Sequence, residues 1–142
     1  MTISVERPAV SEAVLVSRVL RHLSKLGRVV RWGVELNGHG SAHIDVCAYI
    51  GGEVIGIEAK LYDWRRAIGQ AALNRYTVDR SYIAVEPRRA TAEVAELAAR
   101  YGVGVLCVGE DSLVVYQEAK LLSPDPRLRD RTFGRLKTGR RA

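Results

Sequence analysis

Three ionisable residues stand where strand interiors should be apolar. Asp45 interrupts the run HIDVCAYI, and Glu58 and Lys60 close the run VIGIEAK. Burying an unpaired charge is costly, so such residues pair, bind metal or face a cleft. Side chains two apart on a strand share a face, so Glu58 and Lys60 are expected on one side and Ala59 on the other. Asp45, from the preceding strand, is placed to lie beside Glu58. These two carboxylates with the Ala59 backbone carbonyl form a hard-oxygen set suited to Mg²⁺ or Mn²⁺. Lys60 would add a compact positive charge near an attacking water and a phosphate. The bland alternative is a strand-end ion pair of Glu58 with Lys60.

The elements that must position these residues follow from capping, periodicity and turn chemistry. Ser11 caps a helix expected to end near Lys25, before Gly27. Residues 28–36 read as a strand and 37–41 as a loop. Residues 43–50 and 54–60 are strands joined by Gly51-Gly52, a hairpin signal. A helix runs from Asp63 to about Tyr76, then a short strand over 81–85. Thr91 opens a helix over 92–101, and 103–108 is an apolar strand of the doubly buried kind. Residues 112–116 form a last edge strand. A hairpin followed by helical crossovers implies a mixed sheet covered by helices on both faces, an α/β class.

An Asp, a Glu-Ala-Lys on the next strand of a hairpin, and then a helix resemble the PD-(D/E)xK nuclease superfamily. This group includes restriction endonucleases and archaeal Holliday-junction resolvases. The resemblance covers roughly residues 10–110. Asp45 matches the first catalytic acid, Glu58 the second and Lys60 the lysine. Ile44 stands where the family often has proline. Many members place a Gln, and sometimes a Tyr, on the following helix; Gln70 and Tyr76 in GQAALNRY fit that pattern. An acid from the first helix is also frequent, and Glu12 matches by position. The resemblance implies a restriction endonuclease-like sheet and Mg²⁺-dependent endonuclease action on DNA, branched junctions included. Asp45, Glu58, Lys60 and Gln70 would be catalytic, and the enzyme would work as a homodimer in repair or recombination. Two other readings use the same fold. One is a non-cleaving DNA-binding subunit of a repair or phage assembly; the other is an exonuclease.

Four residues have two readings each. Glu35 is either a third carboxylate for metal or a solvated strand end. Glu12 is either the helix acid or a partner of the helix dipole. His43, two before Asp45, is a DNA or metal contact or a satisfied sheet histidine. Trp64 is either a stacking or a packing residue. His39, in the Gly-rich loop, is a candidate phosphate contact. The spacing of His39, His43, Cys47 and Cys107 fits no known zinc cluster.

The 142 residues suit one domain, and 47% hydrophobic with 27% charged residues can build a core. No apolar run nears the ~20 residues of a membrane helix, and the first ten residues lack a secretory pattern. Cys47 and Cys107 therefore read as reduced core residues of a cytoplasmic protein. The net charge of +6 is unevenly placed. Arg127, Arg129, Arg131, Arg135, Lys137, Arg140 and Arg141 accompany a single acid, Asp130, after residue 126; the rest is neutral. This reads as a domain over 1–124 and a basic DNA-tracking tail over 125–142. Arg65 and Arg66, on the helix after Lys60, are further DNA-contact candidates, as are Arg88 and Arg89.

Overall fold

The computed structural model describes residues 11–37 and 43–139. Helix α1 (Glu12–His22) is followed by a 3-10 turn, strand β1 (Val29–Asn37) and the hairpin of β2 (His43–Ile50) and β3 (Glu53–Ala59). Then come α2 (Trp64–Leu73), β4 (Arg80–Val85), α3 (Ala92–Arg100), β5 (Gly104–Val108), β6 (Leu113–Gln117) and α4 (Pro126–Gly134). Each helix starts at a side chain that accepts an otherwise orphaned N–H. Ser11 Oγ takes Val14 N, Asp63 Oδ1 takes Arg66 N and Thr91 Oγ1 takes Val94 N. Gly51 and Gly52 both have positive φ, 59° and 79°, as a two-residue hairpin turn requires.

The six strands pair in chain order, β1 to β6. β1–β2, β2–β3 and β5–β6 are antiparallel, whereas β3–β4 and β4–β5 are parallel across the α2 and α3 crossovers. The mixed α/β sheet expected from the sequence is thus present. Leu15 and Val19 of α1 and Leu23 of the following 3-10 turn pack on one face, against Val46, Ile57, Ala84 and Leu106. Ala67, Ile68 and Ala71 of α2 and Val94 and Ala98 of α3 pack on the other, against Ile83 and Val105. Among the described residues no helix is long and apolar enough to cross a membrane. Cys47 and Cys107 are free thiols.

The stretch expected as a basic tail is instead part of the packed body, to residue 139. Asp125 Oδ1 accepts from Arg127 N and Leu128 N and starts α4 on Pro126. Leu136 and Phe133 then join Ile44, Cys47, Val54 and Val78 in a third apolar cluster, beside Tyr49. Beyond α4, Lys137 exchanges two backbone hydrogen bonds with Trp32, and Trp32 Nε1 donates to Gly139 O at 3.1 Å. The composition shift that suggested a tail reflects a helix with one wet face. The earlier boundary at residue 124 cuts through this packing.

Candidate metal centre

β1 and β2 change face at one level, and two acids lie there. Val34 and Val46 are ladder partners and both pack on the α1 side. Leu36 and Ile44, the next partners in the same phase, pack on the α4 side. Glu35 and Asp45 lie between these two pairs, and Glu35 has a left-handed φ of 51°. A left-handed residue in a strand breaks the two-residue alternation of side chains. Strain of this kind is uncommon for a non-glycine and clusters at functional sites.

The Asp45 carboxylate is held across the hairpin. Its Oδ2 accepts from Ala59 N at 2.9 Å, and its Oδ1 lies 3.2 Å from His43 Nδ1. Glu58 is buried on the α2 side, 1% exposed, and its Oε1 accepts from Asn74 Nδ2 at 3.0 Å. Burial first, and then the Asp45 charge, push Glu58 up to about 8. Asn74 and the Lys60 charge act in the opposite sense. One potential ligand atom each from His43, Asp45 and Glu58 lie within 4.8 Å of one another. Two carboxylate oxygens and one imidazole nitrogen that close form a group that could hold a divalent cation.

Lys60 departs from the expected alternation because β3 ends at Ala59. Glu58 faces α2, while Lys60 Nζ reaches the α1 side, 3.7 Å from Glu12 Oε1. The ion pair of Glu58 with Lys60 is not formed. Lys60 nonetheless sits near enough for its charge to favour ionised Glu58. Glu12 therefore has a partner besides the helix dipole. Ala59, 1% exposed, lies between Glu58 and Lys60 at the strand end.

Glu35 stays outside the three-residue cluster. It lines a hollow of about 170 Å³ with Asp45, Ala13, Val16 and Val34. Gln70 is half-buried on α2 and makes no hydrogen bond to Asp45, Glu58 or Lys60. Asn74, one turn further along, reaches Glu58 in its place. Sequence reading passed over Asn74 because it fell inside an expected helix ending at Tyr76. The α-helix ends at Leu73, and a 3-10 turn over Asn74–Tyr76 turns Asn74 inward.

The basic candidates divide. Arg65 pairs with Glu93 at 3.0 Å and stacks over Trp64, so both serve the α2–α3 contact. Arg66 is exposed beside the Asp63 cap, and Arg89 stacks over Tyr62. Arg129 pairs with Asp79 at 3.0 Å, Arg135 donates to Asn37 O, and Lys137 lies over Trp32. Arg127 and Arg131 are exposed on α4. His39, Arg140 and Arg141 lie outside the described residues.

No family model matches the chain, and no curated protein matches it. A solved structure of a protein of unknown function from Silicibacter pomeroyi is similar, with a TM-score of 0.62 and 21% identity. The match covers 89% of this chain and 84% of that one. At that identity the likeness is one of fold: the chain shares its mixed α/β architecture with this protein.

Proposed function

We propose that the chain is a divalent-metal-dependent deoxyribonuclease of the PD-(D/E)xK type, acting as an endonuclease. The observation that supports this most is the convergence of His43, Asp45 and Glu58 within 4.8 Å, with Lys60 alongside. Asp45, Glu58 and the Ala59 carbonyl would hold Mg²⁺ or Mn²⁺, with His43 as a further ligand, the metal contact among the readings the sequence left open. A bound divalent ion acidifies water and offsets phosphate charge. The Ala59 N–H fixes one Asp45 oxygen, which orients the carboxylate before substrate arrives. Lys60, steadied by Glu12, places positive charge where a phosphate and an attacking water would meet. Arg66, Arg127 and Arg131 offer exposed positive charge for a DNA backbone.

The test is cleavage of supercoiled plasmid and of branched DNA with Mg²⁺, Mn²⁺ or chelator. Wild-type protein should cut with metal and stop with chelator. Asp45→Ala and Glu58→Ala should each abolish cutting while the circular-dichroism spectrum stays native. Metal-dependent cutting that survives in both variants would remove the site from this location. Conversion of closed circles distinguishes endonuclease from end-dependent action.

A further inference from the structure

Asn74 is fully buried, at 0% exposure, yet only half of its amide is used. Its Nδ2 donates to Glu58 Oε1, while no donor reaches its buried Oδ1 among the described residues. A core position filled for packing alone would favour an apolar side chain, because an unpaired buried acceptor is destabilising. Thr77 Oγ1 and Thr77 N both bond the Asn74 backbone carbonyl, so the turn itself is held without the side chain. The side chain is therefore aimed at Glu58 and is not needed to make the turn.

We infer that Asn74 is a positioning residue that fixes the Glu58 carboxylate as a metal ligand. This rests on the metal-site reading above. Its N–H occupies Oε1 and stops the carboxylate rotating away from Asp45, whose side chain also meets Glu58 and with which it would share an ion. Outer partners of this sort commonly change metal affinity 10–100-fold when removed.

The experiment is Mn²⁺ titration of the full chain by electron paramagnetic resonance, paired with cleavage rates across Mn²⁺ concentration. Asn74→Ala should weaken Mn²⁺ binding 10–100-fold, and saturating Mn²⁺ should bring the cleavage rate back to within a few-fold of wild type. Asn74→Leu keeps nearly the same volume and removes the donor without adding charge. It covers the case in which the alanine variant does not fold, and should weaken binding to a similar degree. A merely structural Asn74 would lower the melting temperature or the folded fraction and leave the Mn²⁺ dissociation constant of the folded protein unchanged; that result overturns the inference. Absence of Mn²⁺ binding by wild-type protein overturns the metal-site reading itself, a distinct outcome read before any variant is made.

Discussion

Glu58 rises from its ordinary 4.5 to about 8 through burial and the Asp45 charge, and this has a consequence for stability without metal. Between those two values the folded protein keeps a proton that the unfolded chain has released. Stability of the metal-free protein should therefore be fully present below about 4.5 and fall as pH rises through about 8. Urea melts at pH 5, 6.5 and 8 in chelator check the slope. Glu58→Gln should flatten it, and a wild-type slope of opposite sign would refute the assignment. A cation competes with that proton, so added Mn²⁺ should restore stability most at the alkaline end. Lys60→Ala should lower the cleavage rate by about 10²–10⁴-fold, the usual worth of one acid–base or electrostatic group. A variant with wild-type turnover would make Lys60 only the partner of Glu12. At this scale Asp45, Glu58 and Lys60 were legible because a charge inside an apolar run is conspicuous. Asn74 was not, because an Asn inside a helical pattern carries no such signal. The left-handed Glu35 was equally hidden, since no glycine marks it.

At the scale of elements, capping residues and apolar runs located all six strands and α1 to α3 to within a few residues, because caps and glycine turns act locally; α4 was read as a tail. What stayed illegible was tertiary. The alternation rule placed Glu58 and Lys60 on one face, but β3 stops between them. The charge run after residue 126 hid Phe133 and Leu136, whose burial depends on a sheet face formed far earlier in the chain. Leu136→Ala should cost about 2–4 kcal/mol, as for a buried leucine, read as a lowered urea midpoint with unchanged slope. A cost near zero would return α4 to the status of an appendage. β5 offers a second check. A Cβ at Gly104 would meet the Tyr82 ring and Ala119 N at 2.6 Å. Gly104→Ala should destabilise severely, and a wild-type melting temperature would show that the Tyr82 ring and the segment after β6 can move aside.

Across the whole molecule, part of the positive charge is already engaged by partners within the fold. Arg65, Arg129 and Arg135 are engaged by Glu93, Asp79 and Asn37 O. The double variant Arg127→Ala with Arg131→Ala should weaken DNA binding irrespective of sequence. It should also reduce the slope of log affinity against log salt by about 2, at roughly 0.9 per phosphate contact. An unchanged slope would place the DNA path elsewhere. The strand order carries a different consequence. Every rung of the sheet joins neighbours in sequence, whereas Lys137 and Gly139 close on Trp32, about a hundred residues upstream. During synthesis the sheet can zip from β1 to β6 as each strand leaves the ribosome, with the α4 side of β1 and β2 still bare. Glu35 and Asp45 lie on those uncovered strands, so the contact of Lys137 and Gly139 with Trp32 closes last over the strands that bear the acids. A nascent chain would therefore have its sheet well before it has a settled site.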